Sequence, residues 1–213
     1  MRTGRKKEVK KGILFDMDGT LWDSAKTVAR AWTDILHRVD GIDRVVTEEQ
    51  IRGVMGLTMD TIADILFPDL PRRRELLQRC CALENEYIAR DGGELYPDLE
   101  KTWTALREKG YHLYIVSNCQ AGYIEAFLEK YGFWKYFEDT ECFGNNGLSK
   151  GENIALVVRR NALDSAAYVG DIQADYEAAK QAGVSFYHAA YGFGTISEIV
   201  PELSCIADLA RLA

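Results

Sequence analysis

The feature that most constrains this chain is a rhythm. Short apolar runs at 13–16, 113–117, 167–170 and 184–188 alternate with helical patterns, and a weaker run lies near 205–207. Between them stand "DLEKTWTALREKG", "AGYIEAFLEKYG", "KGENIALVVRRN" and "DIQADYEAAKQAG", three of which close on glycine, where a helix C-cap is expected. Runs this short and this apolar read as strands buried on both faces, and strand–helix alternation implies a parallel sheet covered by helices.

The stretch from 24 to 90 breaks the rhythm. It holds helical patterns only, among them "SAKTVARAWTDILHRV", "MDTIADILF" and "RRRELLQRCCALENEYIAR". The expected organisation is therefore an α/β core at 12–22 and 92–213, a helical insert at 23–91 directly after the first strand, and a basic tail at 1–11. The stripe of Leu66, Phe67, Leu70, Leu76 and Leu77 reads as the insert's own core.

In open parallel sheets, ligands bind beyond the carboxyl ends of the strands. The chemistry-bearing residues of this chain collect there. Asp16 closes the first strand, with Asp18 in the "DMDGT" turn after it; Ser117 and Asn118 follow the second; Asp171 follows the third, with Asp175 one helical turn on. Lys150 opens a helical pattern, where backbone N–H groups and the macrodipole favour an anion.

With 33 acidic and 26 basic residues, the net charge of −7 argues against a nucleic-acid surface, so any anion site must be built locally. The five cysteines form no CxxC pair and are odd in number, which fits a reducing, cytoplasmic setting. No run approaches the roughly 18 apolar residues of a membrane span. "GNNGLSKG" lacks the residue order of a nucleotide-binding P-loop, and His37, His112 and His188 have no metal-ligand spacing. Cys119 reads as a small residue in a tight loop, and Asp23-Ser24 as a helix N-cap.

"DMDGT", "SN", a single lysine and "GDIQAD", in this order and at these separations, resemble the four motifs of the haloacid dehalogenase-like hydrolase superfamily. The helical insert is similar to the cap of its phosphoglycolate phosphatase and β-phosphoglucomutase branch. The resemblance implies a Rossmann-like doubly wound core and a phosphatase of small soluble phosphate monoesters, working as a monomer or homodimer. The alternative is a phosphomutase acting on a sugar phosphate.

By the same resemblance Asp16 is the nucleophile and forms an aspartyl-phosphate, while Asp18 is the general acid and base. Mg²⁺ is expected on Asp16, the Asp18 backbone carbonyl and Asp171, with Asp175 supporting that shell. Ser117, Asn118 and Lys150 are expected to hold the phosphoryl group. Specificity is expected from "EEQIRGVMGLT", with Arg52 reaching into the crevice and Trp22 and Met55 as apolar walls; the alternative for Arg52 is a surface position on a helix of the insert. One departure is the glycine directly after Lys150, where many members carry proline soon after the lysine. Asp18, absent from the family's dehalogenases and phosphonatases, disfavours C–halogen and C–P cleavage.

Overall fold

The structure, a computed structural model, describes residues 9–40 and 42–212, so most of the basic tail lies outside the described residues. Six strands form one parallel sheet: β1 (Lys11–Phe15), β4 (Tyr111–Ser117), β5 (Phe137–Cys142), β6 (Ser165–Gly170), β7 (Ser185–Ala189) and β8 (Glu202–Leu203). Their spatial order is β5-β4-β1-β6-β7-β8. The chain leaves β1 for β4 on one side and later returns to β6 on the other. This doubly wound order puts the topological switch, and so the crevice, at the carboxyl end of β1.

Both faces of the sheet are covered because the central strands are apolar on both faces. Ile13 and Phe15 of β1 join one core with Trp103 and Leu106 of α5 (Leu99–Glu108) and Phe127 of α6 (Tyr123–Tyr131). Leu14 turns the opposite way and meets Ile154 and Val157 of α8 (Lys150–Arg160) and Ala178 and Ala179 of α9 (Gln173–Ala182). Gly132 and Gly183 end α6 and α9 at φ +67° and +70°, a backbone conformation that costs a glycine little. Short helices α7 (Phe143–Asn146) and α10 (Leu209–Leu212) complete the covering.

Among the described residues the insert holds four helices, α1 (Ala25–Asp40), α2 (Glu48–Arg52), α3 (Met59–Leu66) and α4 (Arg73–Asp91). Phe67, Leu76 and Leu77 are buried, with Leu66 and Leu70 packed against the same core, as expected of the insert's apolar stripe. Its entry and exit run side by side as a two-residue antiparallel ribbon, β2 (Trp22–Asp23) against β3 (Glu94–Leu95). The flat approach of Gly93 makes this possible, since a Cβ there would lie 2.8 Å from the Asp23 carbonyl oxygen.

Three elements differ from the sequence expectation. Edge strand β5, "FEDTEC", was concealed by its acids, whose charges are met by Arg160 from α8 at 2.5 Å to Asp139 and 2.6 Å to Glu141. The last strand lies at 202–203 rather than near 205–207, where Ile206–Asp208 instead form a 3₁₀ turn closed by the Asp208 carboxylate on the Ser204 and Cys205 N–H groups. Helix α2 falls within "EEQIRGVMGLT", a stretch in which the sequence singles out no helical pattern. Thr47 nucleates it through a capping box, its hydroxyl accepting from Gln50 N–H while Gln50 Oε1 accepts from Thr47 N–H.

Candidate active site

Asp16 sits immediately past β1, its N–H bonded to the Val169 carbonyl of β6 at 2.9 Å. The chain then turns back on itself. The Met17 carbonyl accepts from Thr20 and Leu21 N–H at 3.1 and 2.7 Å, and Gly19 N–H donates to the Trp22 carbonyl at 2.9 Å. Gly19 has φ +81°, and a Cβ on it would stand 2.0 Å from Asp171 Oδ2. Glycine is thus required twice, by the backbone conformation and by the carboxylate against it.

The carboxyl ends of β1 and β6 bring Asp16, Asp171 and Asp175 together, with one oxygen of each lying within 4.8 Å of the others. All three are buried, and the cation among them is Lys150, 4% exposed. Its Nζ lies 3.0 Å from Asp16 Oδ1 and 2.5 Å from Asp175 Oδ1. Lys150 is the first residue of α8, fixed by the Ser149 capping box. Burial opposes its charge, but Asp16 and Asp175 hold the ammonium more firmly protonated than an ordinary lysine.

Burial pushes the Asp16 carboxyl up to about 6, against the lowering pull of Lys150. Asp171 is raised by burial and by the neighbouring Asp175 and Asp16 carboxylates. Three carboxylates against one ammonium leave a surplus of buried negative charge, made entirely of hard oxygen donors. This donor set fits a divalent metal cation. Asp175 is already engaged, since its Oδ2 accepts from the Asp171 and Ile172 N–H groups at 3.0 and 3.2 Å. Asp16 and Asp171 are the freer ligands.

Asp18, two residues on, lives in different surroundings. Its Oδ1 accepts from Ser24 Oγ at 2.6 Å, and the Tyr123 hydroxyl lies 3.0 Å from the same oxygen and 2.8 Å from Ser24 Oγ. Among the described residues no lysine, arginine or histidine pairs with it. Burial pushes its carboxyl up to about 7, against the lowering pull of Ser24.

Ser117 and Asn118, at the end of β4, line the cleft beside Asp18. The Asn118 amide Nδ2 donates to the Gly56 carbonyl at 2.8 Å and so fastens the loop after α2 over the crevice. Met55 is among the residues that line the cleft.

Trp22, expected as a wall, and Arg52, expected to reach into the crevice, do not line the cleft. Trp22 is fully buried and packs against Tyr123, Phe127 and Tyr131, because the ribbon pairing to Leu95 turns its ring into the core. Arg52 lies outside the cleft. The helical turn of α2 places it one turn after Glu48, and its guanidinium pairs with Glu48 at 3.1 Å and Asp23 at 2.7 Å.

Asp23 does cap α1, its Oδ1 accepting from Ala25 N–H at 2.9 Å, but the Ser24 hydroxyl goes to Asp18 rather than to the helix. Ser24, Tyr123 and the cleft residue Glu84 were not anticipated as site residues; Tyr123 is 105 positions from Asp18, and no local pattern marks the pair. Cys119 is buried, and burial keeps its thiol well above the usual range, in keeping with an inert packing role. His188 is buried with Nε2 3.2 Å from the Asp171 carbonyl oxygen, and no histidine belongs to the carboxylate cluster.

A family model for haloacid dehalogenase-like hydrolases matches residues 13–189. Phosphoglycolate phosphatase of Aquifex aeolicus is 29% identical over 206 residues, covering 94% of this chain and 95% of its own. Phosphoglycolate phosphatase of Vibrio cholerae is 31% identical over 196 residues, covering 85% and 84%. Among solved structures, CbbY from Rhodobacter sphaeroides superposes with a TM-score of 0.77 over 93% of this chain and 95% of its own. At 18% identity that likeness concerns the fold alone.

Proposed function

This chain belongs to the haloacid dehalogenase-like hydrolase family and is a phosphatase-type hydrolase within it, and on that premise we propose that it hydrolyses a small phosphate monoester with Mg²⁺ through an aspartyl-phosphate on Asp16. The observation that carries the reading is the contrast between two carboxyls one residue apart. Asp16 touches an ammonium, which favours its ionised form, whereas Asp18 touches only hydroxyls and can hold a proton near neutral pH. Environments that separate two carboxyls in this way assign them different roles.

In the first half-reaction an Asp16 carboxylate oxygen attacks phosphorus as the bond to the leaving oxygen breaks, and Asp18 gives that oxygen its proton. In the second, Asp18 takes a proton from water as the water oxygen attacks phosphorus, the bond to Asp16 breaks, and inorganic phosphate leaves. Ser117, Lys150 and the backbone N–H groups around Asn118 hold the phosphoryl oxygens, the electrostatic share of the work. Asp16, Asp171 and the Asp18 carbonyl would hold Mg²⁺, supported by Asp175. The ion supplies positive charge that lets one anion approach another. The helical insert, 23–91, serves as the cap that excludes water, a reading supported by the Asn118–Gly56 bond.

Phosphate release from a panel of phosphorylated metabolites, with phosphoglycolate among the first because it names the relatives' activity, tests this reading. Release should require Mg²⁺ and cease with a chelator. Turnover that persists undiminished in excess EDTA contradicts it. A mutase would instead demand a bisphosphate activator and release almost no phosphate.

A further inference from the structure

The cleft between the helical insert and the carboxyl end of the sheet encloses a cavity of about 40 Å³, room for a few non-hydrogen atoms and so for the short tip of a small leaving group. Its insert side is aliphatic, built from Val28, Ile51, Val54, Met55 and Ile62. Its ionisable acids are Asp18 at the chemical end and Glu84 of α4. Neither lysine, arginine nor histidine is among the described residues that line it.

Glu84 is held in place rather than free. It is 5% exposed; its Oε2 accepts from the Trp32 indole N–H, and its Oε1 accepts from Gln120 Nε2 at 3.1 Å. Gln120 is itself steadied by Asn85 Oδ1 at 2.9 Å. A carboxyl oxygen can accept more than one hydrogen bond, so Glu84 retains capacity for a donor brought by a ligand. Burial pushes its carboxyl up to about 7, so it is readily ionised in mildly alkaline solution.

These features fix what a leaving group would meet. A carboxylate entering the cleft would join two acids in a water-poor space with no cation to pair with, the arrangement in which buried charge is most costly. A hydroxyl or ammonium tip would instead donate to Glu84 while its carbon chain covers the aliphatic wall. Arg52, the residue that could have reversed this preference, does not line the cleft and is paired with Asp23 and Glu48.

We infer that Glu84 is the specificity-determining residue of this enzyme, selecting phosphate monoesters whose alcohol carries a hydrogen-bond donor and rejecting those whose alcohol carries a carboxylate. The inference rests on the phosphatase reading of the same site and names its substrate class.

Matched short esters differing only at the tip test it: 2-hydroxyethyl phosphate, O-phosphoethanolamine and 2-phosphoglycolate, with p-nitrophenyl phosphate as the measure of general turnover. The wild-type kcat/KM for each of the first two should exceed that for 2-phosphoglycolate by at least about tenfold, a modest discrimination for a polar mismatch. Glu84→Gln keeps the shape and removes the charge, and should shrink the O-phosphoethanolamine to 2-phosphoglycolate ratio by about tenfold. Because each ratio is taken within one enzyme preparation, loss of folded protein cancels. A wild type that prefers 2-phosphoglycolate, or a Glu84→Gln enzyme with an unchanged ratio, overturns the inference and leaves the phosphatase reading standing. Failure to release phosphate from any ester, p-nitrophenyl phosphate included, removes both.

Discussion

At the scale of single residues, the site is a problem in charge placement. Asp16, Asp171 and Asp175 are buried within 4.8 Å of one another, and like charges so placed resist ionising together. Lys150 relieves part of this, and the backbone N–H groups of Asp171 and Ile172 relieve more by bonding Asp175. Lys150 is therefore structural as well as a phosphate ligand in the proposed reaction. Lys150→Met should destabilise the protein by about 3–5 kcal/mol, because it leaves buried carboxylates without their counter-ion. Urea denaturation measures this directly; a midpoint within error of wild type would show that the pair contributes nothing to the fold. Gly19 is a second residue whose identity is set by its surroundings, since its left-handed backbone and the 2.0 Å approach to Asp171 leave no room for a side chain.

At the scale of elements, the insert is held together across its two long helices. The Trp32 indole of α1 donates to Glu84 of α4, the Asp34 carboxylate accepts from the Tyr87 hydroxyl, and Thr27 Oγ1 donates to the Gly92 carbonyl at 2.6 Å. Glu84 gives this packing a pH dependence whose sign can be stated. Its folded value of about 7 lies above the ordinary glutamate value of 4.5. Below the ordinary value it is protonated in folded and unfolded chains alike and costs nothing. Between the two values the folded chain binds a proton that the unfolded chain has lost, so stability falls as pH rises, and above about 7 the full cost, on the order of 3 kcal/mol, is present. Asp18 is the acid facing it across the cleft; Tyr123, Cys80 and Cys81 are pushed upward and stay neutral across this window. The Tm of Glu84→Gln relative to wild type should thus increase from about pH 5 to about pH 8. A difference that stays flat with pH would mean Glu84 titrates as it does in water.

At the scale of the whole molecule, the sequence was legible where burial is two-sided. The strands that became β1, β4, β6 and β7 could be read because their residues are apolar on both faces, and the carboxyl ends of three of them located Asp16, Ser117 and Asp171. Edge strand β5 could not be read this way, because one row of its backbone has no neighbour and its acids are answered by Arg160 from a distant helix. Between the two readings of Arg52 the sequence could not choose, because a five-residue helix, set by the Thr47 cap, decides which way it points. Trp22 looked like a cleft wall only because it is near Asp18 in sequence; the ribbon that closes the insert buries it. Tyr123 and Glu84 reach the cleft through packing of elements far apart in the chain, which no local pattern encodes.

The central claim is that Asp16 carries the phosphoryl group and Asp18 moves the protons. Rapid acid quench during turnover of p-nitrophenyl phosphate, followed by peptide mass spectrometry, tests it most directly. In wild type and in Asp18→Asn, whose amide cannot take the proton of the attacking water, the account predicts a phosphoryl group on the peptide containing Asp16, more abundant in the variant. Asp16→Asn should show none and should not turn over. A phosphoryl group found on another residue, or steady turnover by Asp16→Asn, would contradict the account.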